Sequence, residues 1–253
     1  MRQRRLESWE LYQQIPMPTL KDEEWRRTDI RRLRIDDFVP PASDGHGAGL
    51  ASAMPAGLSE MISECEGFGG ILGYHDNGSV SRELSADLAG QGVVFTDLDS
   101  AIRDRPDLIE RHFMTEAVKP DFNKFTALHG ALFGSGTVLY VPPGVQATVP
   151  LWACHWTDGE GLGIFPHTLV IADRHSEVVL IEEHRTPPAL GRLFSNSVVE
   201  LVVRDGARLK YVAIQETSQQ SDTWNFVVNR AVVGRDATAV SYTHLTLPTK
   251  RIV

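Results

Sequence analysis

The stretch Ser197-Val-Val-Glu-Leu-Val-Val-Arg-Asp-Gly-Ala-Arg-Leu-Lys-Tyr-Val-Ala-Ile-Gln215 decides the fold. Its two apolar runs, Ser197–Arg204 and Ala207–Gln215, flank the turn signal Asp205-Gly206, which is typical of two β-strands joined by a tight turn. Residues 198–203 are apolar at nearly every position, and such strands are usually covered on both faces or stacked on similar strands. The alternation of apolar strands and turns alone is compatible with a sandwich, a barrel or a parallel β-helix.

The same pattern of short apolar runs separated by turn signals extends through the second half of the chain. Clusters of Gly, Pro and Asp separate the apolar runs. No long helical pattern lies between them, so an alternating βαβ sheet is disfavoured. Seven strands are predicted, at Thr137–Val141, Leu151–Trp156, His167–Ala172, Glu177–Glu182, Ser197–Arg204, Ala207–Gln215 and Asn225–Val233.

The first 124 residues have mainly helical patterns. Leu6–Gln14 is a short amphipathic candidate, and Thr19 is a potential cap for a helix that runs through Trp25 towards Leu33. Apolar residues at helical spacing make one stripe at Leu58, Met61, Ile62 and Cys65. Short strands are expected at Gly69–Tyr74 and Gly92–Thr96, and further helices are expected after Asp97 and from Pro106. We therefore divide the chain into residues 1–124, helical or α+β, and residues 125–239, all β.

The last fourteen residues differ from the rest. The segment Val240-Ser-Tyr-Thr-His-Leu-Thr-Leu-Pro-Thr249 resembles the translation of a transposase sequencing adapter. Residues 240–253 are therefore expected to be non-native. On this interpretation the natural protein continues beyond Ala239, and the chain is a truncated fragment.

Composition and charge exclude several classes of protein. The 253 residues include 25 Lys and Arg against 33 Asp and Glu, for a net charge of −8, which argues against nucleic acid as the main partner. No apolar run is long enough to cross a membrane, and the basic start lacks the apolar stretch of a signal peptide. The two cysteines, Cys65 and Cys154, are too few for a disulfide framework. We expect a cytoplasmic protein that does not bind membranes.

Five histidines in the strand region raise the question of a metal site: His129, His155, His167, His175 and His184. A cupin-type site needs a His-x-His pair, because two imidazoles must reach one ion from one face of a strand. No such pair occurs. The histidines are therefore interpreted as surface or hydrogen-bonded residues at strand ends, and no metal site is predicted.

The densest polar cluster is Glu182-Glu183-His184-Arg185. Adjacent strand residues point to opposite faces, so the two carboxylates are not expected to share a site, and an exposed strand end is predicted. The same alternation separates Cys154 from His155, so Cys154 is predicted to be a buried structural cysteine, and Cys65 a core residue.

No motif of a known catalytic site is present. The sequence lacks a Gly-x-x-x-x-Gly-Lys-Ser/Thr phosphate loop and a Gly-x-Ser-x-Gly nucleophile elbow. Helical spacing would spread the arginines of residues 26–34 around a solvated surface. We therefore predict no catalytic residues.

Several segments resemble the SufB/SufD family of iron–sulfur cluster assembly proteins, in family order over about residues 16–239. They are Met17–Asp29, Asn123-Lys-Phe-Thr-Ala-Leu-His-Gly-Ala-Leu-Phe133, Gly136-Thr-Val-Leu-Tyr-Val-Pro-Pro-Gly144, Pro150-Leu151, His167–Ala172, Val199-Glu-Leu201, Gly206-Ala-Arg-Leu209 and Ile214-Gln215. SufB-like chains carry a cysteine in the turn where this chain has Arg185-Thr-Pro-Pro188. They also follow the glutamine with Asn-Trp, whereas Gln215 precedes Glu216-Thr217. The resemblance is therefore to the SufD side of the family, and it assigns no role to Gln215.

The resemblance implies a right-handed parallel β-helix over about residues 125–239, preceded by a mostly helical domain. It implies a scaffold subunit that is not itself an enzyme, pairs with a SufB-like chain along the β-helix and binds a SufC-type ATPase through a region beyond residue 239. It implies no cofactor on this chain alone, and an iron–sulfur cluster only in the assembled complex. Two other functions stay open at this stage: a cupin-like metal-dependent enzyme, and a passive β-solenoid that binds polysaccharide.

Overall fold

A computed structural model describes residues 1–41, 54–64, 67–217 and 222–245. Within these ranges the helices are α1 (Arg2–Gln14), α2 (Ala56–Ser63), α3 (Ala86–Gly90), α4 (Leu98–Asp104), α5 (Pro106–His112) and α6 (Lys124–Leu132). The strands are β1 (Gly70–His75), β2 (Gly78–Leu84), β3 (Val94–Asp97), β4 (Gly136–Val141), β5 (Gln146–Trp156), β6 (Leu162–Ile164), β7 (His167–Ala172), β8 (Glu177–Arg185), β9 (Arg192–Val203), β10 (Arg208–Glu216), β11 (Asp222–Val233) and β12 (Thr238–Leu245).

The second half of the chain is a parallel β-helix of about three turns, as the resemblance implies. From β7 onwards, successive strands alternate between two sheets. The front sheet has the order β11-β9-β7-β4-β3, with β6 beside β9, and the back sheet has the order β12-β10-β8-β5-β1-β2. Neighbouring strands from β4 to β12 within each sheet are parallel, so residues about 30 positions apart in the chain lie side by side.

Apolar side chains fill the space between the two sheets. Val199, Leu201 and Val203 of the front sheet face Leu180 and Leu209 of the back sheet. The alternate residues Val198 and Val202 lie on the outer face of β9, where α4 and α5 cover them. Strand β9 is therefore buried on both faces, which explains the near-continuous apolar run in its sequence.

The first half of the chain supplies the beginning of both sheets. Strand β1 pairs in parallel with β5, and β3 pairs antiparallel with β4. Helix α6 starts at a capping box formed by Asn123 and Thr126, and it packs against α1. Both sheets thus contain strands from before and from after residue 125. The division of the chain into two domains at that residue stays a prediction.

The structure corrects the expected helix from Thr19 through Trp25 towards Leu33. Only residues Glu23–Trp25 form a short 3-10 turn. Ile30 and Leu33 are buried against Phe125 of α6 rather than along a helical stripe. Packing on the core therefore overrides the local helical pattern.

Strand β12 includes the first residues of the segment expected to be non-native. Residues 240–245 continue β12 in register with β10, up to the pair Gln215 and Leu245. Residues 246–253 lie outside the described residues. The adapter origin of this segment stays a prediction.

Candidate functional site

A polar cluster lies between the two sheets, at one end of an otherwise apolar interior. On the back-sheet strands the inward-facing residues change along the chain from apolar to polar. Strand β8 presents Val178, Leu180, Glu182 and then His184, and β5 presents Leu151, Ala153 and then His155. The alternation of strand residues and the parallel register together bring these polar side chains to the same level of the β-helix.

Glu182 is the centre of the cluster and is 1% exposed. Its carboxylate accepts hydrogen bonds from His155 Nε2 at 3.0 Å, from the Thr168 hydroxyl at 2.7 and 2.8 Å, and from the Tyr211 hydroxyl at 2.5 Å. Burial would raise the pKa of Glu182, but the hydrogen bonds of His155 and Tyr211 and the nearby imidazoles lower it to about 2. Glu182 is therefore a buried carboxylate that stays ionised.

Three rings form a stack beside this carboxylate. Tyr74 lies on His155 with ring centroids 4.3 Å apart, and His155 lies on His184 with the same separation. The stack follows from strand register, because the three residues occupy equivalent positions on β1, β5 and β8. His184 Nε2 lies 3.9 Å from Glu182 Oε1. Burial and the neighbouring His155 lower the pKa of His184 to about 3, so its imidazole is neutral.

A small cavity adjoins the cluster. Its volume is about 20 Å³, enough for roughly one water molecule. His184 lines it together with Ser195, Ser197 and Gln215, and the Gln215 side-chain oxygen accepts a hydrogen bond from Asn225 at 2.9 Å. Gln215 thus occupies the next coil after His184 in the same row of the back sheet.

Glu183 and Arg185 lie on the opposite face of β8, as strand alternation predicts. Arg185 Nε contacts Glu183 at 2.6 Å and Glu216 at 3.3 Å, and one of its terminal nitrogens contacts Glu64 at 2.9 Å. The prediction of an exposed strand end is wrong for Glu182 and Glu183, which are both buried. Glu182 is buried because it lies between the two sheets, and Glu183 is buried beside the Arg185 guanidinium. The alternation of strand residues predicts the face on which a side chain lies but not whether that face is covered.

A second buried cluster lies under α6. His129 Nδ1 donates to the Asn196 carbonyl at 2.9 Å, and His129 Nε2 accepts from His167 Nδ1 at 3.0 Å. His167 Nε2 lies 3.2 Å from Glu200, outside hydrogen-bond geometry. The Glu200 carboxylate accepts two backbone N–H groups, from Met114 at 2.6 Å and Val118 at 3.0 Å. This cluster ties the loop after α5 to β9.

The other sequence-predicted residues have structural positions. His155 and His167 are buried and hydrogen-bonded on β5 and β7 and His175 is exposed, in agreement with the prediction of surface or hydrogen-bonded histidines, whereas His129 is hydrogen-bonded on α6 rather than at a strand end. Cys154 is fully buried against Leu58 and Met61, as predicted. Cys65 lies outside the described residues. The arginines of residues 26–34 are exposed, in agreement with a solvated surface.

Two groups of side chains in the described part of the chain have the spacing of metal ligands. His155, Glu182 and His184 each offer one atom, and these atoms lie within 4.8 Å of one another. His75, Asp76 and Asp158 form a similar group in more exposed positions. The sequence predicted no metal site because a cupin-type site needs a His-x-His pair on one strand, whereas here Glu182 and His184 lie on β8 and the second imidazole, His155, lies on β5 of the preceding coil.

Two family models match this chain. The model described as "SufBD protein N-terminal region" matches residues 66–152, and the model described as "SUF system FeS cluster assembly, SufBD core domain" matches residues 155–250. Together the two matches cover well over half of the chain. The chain belongs to the SufBD family. The match to the core model begins at the end of β5 and extends past β12, and it includes His155, Glu182 and His184.

Relatives in the SufBD family carry both names. SufB of Bacillus subtilis is 28% identical over 244 residues, with 92% of this chain and 50% of the relative covered. SufD of the same organism is 30% identical over 235 residues, with 92% and 52% covered. A SufBD family protein of Staphylococcus haemolyticus is 28% identical over 239 residues, with 90% and 49% covered. The chain spans about half the length of these relatives.

The cupin-like alternative finds no support in the fold or in these matches. A cupin-like site would lie inside a closed barrel, but within the described ranges the two sheets are open, with β2, β3, β11 and β12 at their edges. The same ranges contain no helix that is both long and apolar enough to span a membrane.

Proposed function

We propose that this chain is a SufD-like scaffold subunit of the SUF iron–sulfur cluster assembly system, without enzymatic activity of its own. It pairs with a SufB-like chain along the β-helix and works with a SufC-type ATPase in the cytoplasm. Membership of the SufBD family supports the general role. The iron–sulfur cluster is cargo that is built in the assembled complex and is not held by this chain alone.

The surroundings of Arg185 carry the SufD-like part of the proposal. Cluster assembly uses cysteine thiolates as ligands or sulfur carriers. Arg185 takes the place of the SufB-like cysteine, and three carboxylates hold its guanidinium, those of Glu64, Glu183 and Glu216. Glu183 is nearly fully buried, so its charge needs this cation. The position is therefore built around a cation rather than a reactive thiol.

The outermost strands support the proposed pairing. Strands β11 and β12 are the last strands of the two sheets among the described residues. Before residue 240 they expose the large apolar side chains Val227 and Val233, each more than 40% exposed. Apolar side chains beside an open sheet edge favour coverage by further β-structure. A partner β-helix has the complementary chemistry.

Affinity capture tests the proposal. The tagged chain is co-expressed with a SufB-like chain, with a SufD-like chain, or with a SufC-type ATPase. We expect capture of the SufB-like chain, no capture of the SufD-like chain, and recovery of the ATPase only when the SufB-like chain is present. Val233→Asp should reduce capture, whereas Leu6→Asp on exposed α1 should leave it unchanged. Failure to capture the SufB-like chain would refute the proposal.

A further inference from the structure

We propose that His155, Glu182 and His184 form an interior binding site for one divalent first-row transition-metal ion. The inference rests on the side-chain geometry of this chain and is independent of the proposed role in the SUF system. It assigns a function to the polar end of the β-helix interior, which a scaffold role leaves unexplained.

The ligand chemistry fits such an ion. Two imidazoles and one carboxylate are a common ligand set for Fe²⁺ and Zn²⁺. Bonds of about 2.0–2.1 Å to each ligand require ligand atoms roughly 3.0–3.4 Å apart. His155 Nε2 and Glu182 Oε1 are already 3.0 Å apart, and His184 Nε2 is 3.9 Å from the same oxygen. The site thus needs to contract by less than 1 Å on its widest measured side.

The two imidazoles must turn for both to bind the ion. Their planes are 13° apart in a stack, and a metal ion binds in the plane of an imidazole ring. His184 lines the small cavity, so its ring has space on that side. Metal binding at His155 Nε2 requires the imidazole tautomer that carries its hydrogen on Nδ1, so a bond to the ion replaces the hydrogen bond from His155 to Glu182.

The groups around the ligands orient them in the way that supports metal sites. Thr168 and Tyr211 donate hydrogen bonds to the Glu182 carboxylate and fix its position. The small cavity has room for roughly one water molecule, and of the three ligands His184 lines it. Balancing the negative charge of Glu182 explains the presence of His155, which donates a hydrogen bond to that carboxylate. It does not explain His184, whose Nε2 lies 3.9 Å from Glu182 Oε1.

The surface group of His75, Asp76 and Asp158 provides a matched control. It has similar ligand spacing but lies in more exposed positions. Its polar atoms are also engaged in local structure: Asp76 accepts the backbone N–H groups of Asp158 and Gly159, and Asp158 accepts from Trp156. We assign the metal ion to the interior group and not to this one.

Anaerobic titration of the metal-stripped full chain with Co²⁺ tests the inference. We expect one equivalent of tightly bound Co²⁺ with visible d–d absorption. His184→Gln and Glu182→Gln should each weaken binding at least tenfold, whereas Asp158→Asn should leave it unchanged.

His184→Gln is the decisive variant, because His184 is more exposed than its partners and its loss is the least disruptive to folding. Circular dichroism should show that this variant keeps the wild-type fold. Wild-type affinity in folded His184→Gln, loss of binding in Asp158→Asn, or no stoichiometric binding by the wild type would each overturn the inference.

Discussion

Replacement of Tyr211 by Phe tests the buried carboxylate at the centre of the cluster. The substitution keeps the buried ring and removes only the hydroxyl that donates to Glu182 at 2.5 Å. A hydrogen bond to a charged group contributes about 1.5–3 kcal/mol. The Thr168 hydroxyl stays within 2.8 Å of the same carboxylate oxygen, so Glu182 keeps part of its solvation. We expect a loss of about 1.5–3 kcal/mol in the free energy of unfolding.

Tyr140→Phe is the matched control for this substitution. It removes a hydroxyl that also donates to a carboxylate, that of Asp173, but at 3.3 Å and in a partly exposed position. Its expected cost is below about 1 kcal/mol. Urea unfolding of the metal-free protein measures both variants at an unchanged m-value. A Tyr211→Phe variant as stable as Tyr140→Phe would show that Glu182 does not depend on this bond.

Three further predictions concern burial and packing. In a Cys65→Ser background, Cys154 should be inert to a thiol reagent in the folded protein and react in denaturant; rapid reaction without denaturant would contradict its burial. Gly136→Ala should lower the free energy of unfolding in urea by more than about 2 kcal/mol, because the added Cβ would lie 2.1 Å from a carbonyl oxygen of β7. The control Gly90→Ala adds a Cβ in open space and should change this free energy by less than about 1 kcal/mol. Equal costs would contradict the close approach. Burial, and then the neighbouring His167 imidazole, hold the pKa of His129 well below its usual 6.5. Below pH 6.5 the unfolded chain takes up a proton at His129 that the folded protein does not. The free energy of unfolding is therefore fully retained above pH 6.5 and decreases as the pH falls, by up to about 1.4 kcal/mol per pH unit. His129→Gln should therefore lose less stability than the wild type between pH 6.5 and 5, and equal slopes would contradict a neutral buried imidazole.

The strands of the β-helix could be predicted from the sequence because each ends at strong turn signals. Asp205-Gly206 is an example, since Gly206 has the positive φ of 69° that a tight turn requires. The helix expected towards Leu33 failed because its apolar residues pack separately on α6. Helix α6 was not predicted, although its capping box at Asn123 and Thr126 is a local signal. That signal lay within the segment that carried the family resemblance.

The candidate site could not be predicted because His155 lies 27 residues before Glu182 in the chain. Alternation correctly separated Glu182 from Glu183 and Cys154 from His155. It could not place His155 beside His184, because that contact depends on the number of residues in one coil. A search for polar residues repeated at the coil spacing of about 30 residues would have found the row of His155, His184 and Gln215.

Cysteine cross-linking tests most directly the claim that successive coils stack in register. Glu177 and Arg208 are exposed partners on β8 and β10. Neighbouring strands lie about 4.8 Å apart, within the range that a disulfide spans. In a Cys65→Ser background, Glu177→Cys with Arg208→Cys should oxidise to an intramolecular disulfide. Glu177→Cys with Lys210→Cys, on the same face but about 8 Å apart, should not. Equal cross-linking of both pairs, or none in the first, would contradict the parallel register that builds the interior cluster.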